Sequence, residues 1–195
     1  MPSPPPVLLA SSSAYRRALL TRILPAFECA VPGVDESPLQ DEAPDALATR
    51  LAQLKAIQCA EQRPDAVIIG SDQVPAIGTQ LLGKPGSHER AAAQLRQCSG
   101  QSVVFFTAVT VLGPAALPAE SYVDRTTVHF RALSDAQIER YLAKEQPYDC
   151  AGSFKAEALG IVLFERIESI DPTGIQGLPL IWLSACLNRR GVPIP

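Results

Sequence analysis

No two of the five cysteines in this 195-residue sequence, Cys29, Cys59, Cys98, Cys150 and Cys186, are spaced as a CxxC pair. Their odd number and wide separation argue against a disulfide framework or a zinc site, and for a reducing compartment with small buried thiols. Histidine is scarce: His88 and His129 are expected in surface or strand roles, and no GxSxG elbow supports a Ser-His-Asp triad. The patterns GxxxxGK[ST] and GxGxxG are absent, which excludes a P-loop and a Rossmann dinucleotide fingerprint. No apolar run approaches the roughly 20 residues that span a bilayer. The start, MPSPPPVLLA, lacks a basic n-region and has too short an apolar run for a signal peptide. The expected location is therefore the cytoplasm, with no membrane partner. A net charge of −3 and the lack of a basic stripe disfavour nucleic acid. Internal repeats and low-complexity linkers are also missing.

What is present is a hydrophobic fraction of 47%, enough to fill a core. After a Pro-rich lead-in at 2–6, apolar runs predict buried strands at 7–10 and 66–70, and a second short strand is expected at 27–31. The segment 34–45 is acidic and broken by proline, so it reads as a loop. Helices are expected over 14–24, 46–62, 87–97, 134–144 and 178–189. Leu47, Leu51, Leu54 and Ile57 mark the apolar side of the second helix. Ser134 is the expected N-cap of the fourth, with Gln137 at the capping-box position. Residues 79–85 read as a strand running into a Gly/Pro break. A long strand at 102–112, a turn at 113–120 and a return strand at 122–131 form a hairpin, and 161–164 reads as a short strand. The fold class is mixed α/β: a central sheet with a long antiparallel hairpin, covered by helices. Residues 1–195 are expected to form a single domain, with any second lobe drawn from 85–150.

Three strand ends carry polar groups that could do chemistry. SSSAYRR follows VLLA, placing Ser11, Ser12, Ser13, Arg16 and Arg17 where a helix begins. Free backbone N–H groups, the positive end of the helix dipole and two guanidinium forks make a seat for an anion. The same residues also suit a Ser-capped helix with exposed arginines. Asp72, in IIGSDQ, sits where a hydrophobic strand runs out, a common place for an active-site carboxylate, though an Asp there can also cap a turn. Lys84 lies in a stiff GKP turn and can reach a phosphate. Lys55 and Glu36, read alone, are solvated groups on a helix and in an acidic loop. Together the cations, serines and carboxylates suggest a polyphosphate held by side chains and helix dipoles, with a carboxylate to bind a divalent metal or orient water.

The ordered set LLASSSAYRR, VDE, LAQLKA, IIGSDQV, GKP, SGQSVVFFT, VHFRALSDAQIERYL, CAGSFKAE and GLPL resembles the Maf family of nucleoside triphosphate pyrophosphatases, collinearly from Val7 to about Arg190. The resemblance implies a Maf/ITPase-like fold and cleavage between the α and β phosphates, giving a monophosphate and pyrophosphate. It implies a divalent cofactor, Mg²⁺ or Mn²⁺, with Glu36 and Asp72 as its ligands and Asp72 as catalytic proton acceptor. Ser11, Arg16, Arg17, Lys55 and Lys84 would bind the substrate. Tyr15, Gln73 and Glu157 resemble the branch that prefers 7-methyl-GTP. N7-methylation gives guanine a positive charge, which favours an aromatic face and a nearby carboxylate. Ala14 and Ala158 depart from the family's usual proline and glycine. A homodimer is expected by the same likeness. The alternatives are a dTTP/UTP pyrophosphatase of the same family and a non-catalytic nucleotide-binding regulator of septum formation.

Overall fold

A computed structural model of the protein describes residues 3–114 and 117–195. Pro2 of the lead-in and Ala115 and Ala116 of the 113–120 turn lie outside the described residues. The elements in order are β1 (Val7–Ala10), α1 (Ala14–Thr21), β2 (Glu28–Ala30), α2 (Pro44–Ala60), β3 (Val67–Ile77), β4 (Gln80–Leu81), α3 (His88–Cys98), β5 (Ser102–Leu112), β6 (Glu120–Phe130), α4 (Asp135–Glu145), β7 (Phe164–Glu168) and α5 (Leu180–Arg189). Single 3-10 turns stand at Leu159–Leu163 and Gly174–Gln176.

Among the described residues the strands form one seven-stranded sheet, in the order β2-β1-β3-β5-β6-β7, with β4 also paired to β3. β1 runs parallel to β2 and β3, and the remaining pairs are antiparallel. This is the mixed sheet with a long hairpin that the sequence predicts: β5 begins and ends where expected, and β6 is its return strand.

Successive strand residues face opposite sides, and the core sorts accordingly. Leu8, Ala10 and Ile68 pack under α2, together with Ala56 and Cys59. Leu9, Val67, Ile69, Val109 and Val111 face the other way, against Leu19 and Leu20 of α1 and Leu183 and Leu187 of α5. Further along that second face, Val103 and Phe105 of β5 pack with Leu95 of α3, Ile138 and Leu142 of α4, and Phe154. The second face thus carries two apolar cores end to end. Thr107 sits between them on β5, fully buried.

The structure departs from the sequence reading at three places. β3 does not end at Gly70 but runs on through Ser71, Asp72 and Gln73 to Ile77, because β5 pairs with it as far as Ala76. Asp72 is therefore a mid-strand residue. Pro75 fits there because its carbonyl accepts from Leu82 N (2.8 Å), on the side away from β5. N and O of a strand residue point the same way, so the missing N–H falls on the short β4 edge and the long β5 ladder loses no bond. The apolar run at 161–164 is a 3-10 turn followed by strand β7, since so short a run does not fix its own backbone. The buried face of α2 is Leu47, Ala48, Leu51, Ala52, Lys55, Ala56 and Cys59, whereas Leu54 and Ile57 are exposed. Leu47 and Leu51 are buried as expected, and the small Ala48, Ala52 and Ala56 complete the face that meets the sheet. Of the cysteines, Cys29 is exposed and Cys150 half-buried, and the other three are buried as expected.

Candidate active site

A fork in the sheet makes the site. β1 accompanies β3 only from Val67 to Gly70. Beyond that the chain from β1 turns away through Ser11, Ser12 and Ser13 into α1, while β3 continues with its outer edge unpaired over residues 71–74, before β4 joins it. A cleft of about 980 Å³ opens along this edge, within the range of small-molecule sites and at the carboxyl end of β1, where α/β sheets usually bind ligands. Because it wraps the edge of β3, it receives side chains from both faces of that strand.

On one face lie Asp72 and Lys55. At Gly70, two residues earlier on the same face, α2 comes so close that a Cβ would strike the Ala52 carbonyl and Ala56. That approach brings Lys55, only 5% exposed, down onto the strand. Its ammonium donates to Asp72 Oδ1 at 2.7 Å and pairs with Glu36 Oε1 at 2.6 Å. Two carboxylates thus share one cation. Glu36 comes from the 34–45 loop and remains largely exposed. Burial alone would raise its pKa, but Lys55, Lys84 and Arg16 outweigh that and hold it below the ordinary carboxylate range.

α1 supplies the next group. Ser13 caps it, accepting from Arg16 N at 3.3 Å, and the Arg16 side chain turns into the cleft. Arg16 Nε donates to the Gly177 carbonyl (3.1 Å), and Nη1 reaches Ser11 Oγ (3.5 Å). Burial lowers the Arg16 pKa, and the Asp72 and Glu36 carboxylates oppose that fall. Gly177 has φ +114, and a Cβ there would press on Arg16 at 3.4 Å, so glycine serves both the backbone and the contact.

On the opposite face of β3, Gln73 Nε2 donates to Thr107 Oγ1 (2.9 Å) and to the Gly174 and Ile175 carbonyls (3.0 Å each). Ser71 Oγ donates to the Gly177 carbonyl at 3.0 Å. The polar residues between the two cores therefore fasten the Gly174–Gln176 turn beneath the cleft.

The far end of the cleft is lined by Tyr15 from α1 and by Asp149, Cys150, Lys155 and Glu157 from the irregular segment after α4. Tyr15 Oη lies 3.8 Å from Cys150 Sγ. Burial first, then the Cys150 contact, push the Tyr15 phenol up to about 12. Burial likewise pushes the Cys150 thiol up to about 11. Ala158 has φ −125, so a side chain is tolerated where the family usually has glycine.

The structure brings Ser11, Tyr15, Arg16, Glu36, Lys55, Asp72, Gln73, Lys84 and Glu157 to one cleft. Arg17 is the exception. It follows Arg16 directly, so its side chain is rotated about 100° around the helix, and it is exposed outside the cleft lining. The sequence reading did not single out Asp149, Cys150 or Lys155 as site residues. The signal for Lys155 was its place in CAGSFKAE, two residues before Glu157.

Among the described residues no group of three or more His, Cys, Asp and Glu could hold a metal ion. Glu36 and Asp72 offer a two-carboxylate seat on an open cleft. That donor set fits Mg²⁺ or Mn²⁺, which take one or two carboxylates and complete their shell with water and substrate phosphates. No helix among the described residues is long and apolar enough to cross a membrane.

The family model for Maf-like proteins matches residues 6–190. A protein of Thiobacillus denitrificans named 7-methyl-GTP pyrophosphatase is 53% identical over 190 residues, covering 97% of this chain and 94% of its own length. One of Xanthomonas axonopodis pv. citri with the same name is 52% identical, covering 98% of this chain and all of its own. One of Nitrosococcus oceani, again so named, is 47% identical over 99% of this chain and 97% of its own. Among solved structures, the Staphylococcus aureus Ham1 protein aligns at TM-score 0.47 and 14% identity over 65% of this chain and 72% of its own. With the family model spanning nearly the whole chain and relatives of about half-identical sequence matching it end to end, this protein belongs to the Maf family.

Proposed function

We propose that this Maf protein hydrolyses 7-methyl-GTP to 7-methyl-GMP and pyrophosphate, with Mg²⁺ or Mn²⁺ held by Glu36 and Asp72. The observation that carries the reading is the set of cations Arg16, Lys55 and Lys84 lining one cleft with two carboxylates. The names of the relatives supply the substrate.

The chain's own residues divide the work. Ser11, Arg16 and Lys84 bind and orient the triphosphate, and Arg16, with its planar fork, suits phosphate oxygens. Lys55, bonded to Asp72 Oδ1 at 2.7 Å, holds that carboxylate in place beside the cleft. Asp72 accepts the proton of the attacking water as its oxygen bonds to phosphorus and the α–β anhydride bond breaks. The electron pair leaves with pyrophosphate, whose charge the three cations offset. When bound, the divalent ion neutralises charge on the phosphate oxygens. The Tyr15 ring supplies a stacking face and Glu157 a carboxylate for a cationic base.

A competition assay over 7-methyl-GTP, GTP, dTTP and UTP, scored by pyrophosphate release with and without metal, tests this. Preference for 7-methyl-GTP with metal-dependent pyrophosphate release is the expected result. Preference for dTTP or UTP would overturn the base assignment, and no release from any nucleotide would leave a binding protein.

A further inference from the structure

We propose that Gln94, which lies on α3 outside the cleft lining, is a positioning residue that fixes both ends of the substrate site at once. The base half of this proposal rests on the function proposed above.

Gln94 is half-buried in the middle of α3. Its Nε2 donates to the Gly83 carbonyl at 3.2 Å. Gly83 precedes Lys84, and Pro85 follows, so this bond pins the turn that presents the Lys84 ammonium. Its Oε1 accepts from Ser153 Oγ at 2.5 Å. Ser153 is fully buried and has φ +63, directly after Gly152 at φ +83. Two left-handed residues in succession, one carrying a side chain, form a conformation the chain does not hold unaided. Ser153 stands between Cys150 on one side and Lys155 and Glu157 on the other, all three on the cleft. The hydroxyl bond to Gln94 thus holds the kink that aims this segment at Tyr15.

The amide orientation follows from its partners. A carbonyl accepts only, so the NH₂ must face Gly83, which leaves the oxygen for the serine hydroxyl. The two arms are chemically distinct and can be cut separately. A backbone bond from Gly86 N to the Tyr148 carbonyl (2.9 Å) also links the two segments, so losing either arm leaves them joined.

Gln94→Glu keeps an acceptor for Ser153 but cannot donate to Gly83. Ser153→Ala removes the other arm and leaves the Gly83 bond. Inorganic tripolyphosphate, which has no base, is the probe for the Lys84 end, read by calorimetry. The ratio of kcat/KM for 7-methyl-GTP over GTP reads the other end. One hydrogen bond corresponds to roughly a three- to tenfold change. Gln94→Glu is predicted to weaken tripolyphosphate binding by about fivefold and leave the nucleotide ratio unchanged. Ser153→Ala is predicted to shift the ratio by about fivefold and leave tripolyphosphate binding unchanged. Gln94→Met, which removes both arms without adding charge, should move both readouts, and it decides the matter if the Glu variant does not fold. Both single-arm variants moving both readouts alike, or neither readout moving, would overturn the proposal. A wild-type enzyme that treats 7-methyl-GTP and GTP alike refutes the base reading instead, and Gln94 is then judged on tripolyphosphate binding alone.

Discussion

At one end of the cleft the charged groups grow from regular structure: Arg16 from α1, Lys55 from α2 and Asp72 from β3. All three are largely sheltered, and each is held by a named partner. At the other end Asp149, Cys150, Lys155 and Glu157 come from an irregular segment with left-handed residues at Gly152 and Ser153. The contrast separates two demands. Glu36 and Lys84 join the first set from a loop and a turn, but its anchoring groups, Arg16, Lys55 and Asp72, have the fixed geometry that helices and strands supply. Groups that choose a base can sit on a loop whose sequence varies without disturbing the chemistry.

If the regular end carries the reaction, Asp72→Asn should lower kcat by roughly 10²–10⁴, the usual consequence of losing a general base. A steady-state assay that finds near-normal turnover would remove Asp72 from that role. Next in size, Lys55→Met leaves Asp72 buried without its cation, and urea unfolding should register a loss of about 3 kcal/mol, as for breaking a buried pair. The same substitution bears on pH. Because Lys55 and its neighbours hold the Glu36 pKa below its reference of 4.5, the stabilisation from this carboxylate is complete above that value. It is lost as pH falls through the folded-state pKa. The acid limb of the wild-type stability profile should therefore flatten in Lys55→Met.

The neighbouring arginines sharpen the comparison further. Arg16→Ala should raise KM and lower kcat, together costing about 10- to 100-fold in kcat/KM, since a charge-assisted contact is lost. Arg17→Ala should stay within about twofold. Equal losses would show that helix rotation does not separate them. Among the substitutions of cleft-lining residues, the smallest effect belongs to the base end. Tyr15→Arg should reduce kcat/KM for 7-methyl-GTP relative to dTTP by about tenfold, because a cation replaces the stacking face, and equal losses on both nucleotides would defeat the stacking assignment.

The sequence made some of this plain and hid the rest for physical reasons. Local signals read well: a serine, Ser13, caps the first helix, and Ser134 with Gln137 forms the capping box. The 102–112 strand was legible from its length and its β-branched content. Asp72 looked like a strand end because Ser71, Asp72 and Gln73 are polar, and only pairing with β5 shows why the strand continues. Lys55 looked solvated because a lysine beside Leu54 and Ile57 suggests an outer face. The close approach at Gly70 reverses that, and it depends on residues distant in sequence. Arg16 and Arg17 were indistinguishable until the phase of α1 was known. Gln94 gave no signal at all, since its two partners lie 11 and 59 residues away.

The most direct measurement is a crystal structure with a non-hydrolysable α,β-linked analogue of 7-methyl-GTP. Polyphosphate density within hydrogen-bond reach of Arg16, Lys55 and Lys84, with the base against Tyr15, is the predicted result. Density elsewhere, with Lys55 still paired to Glu36 and Asp72 and all three cations untouched by phosphate, would contradict it.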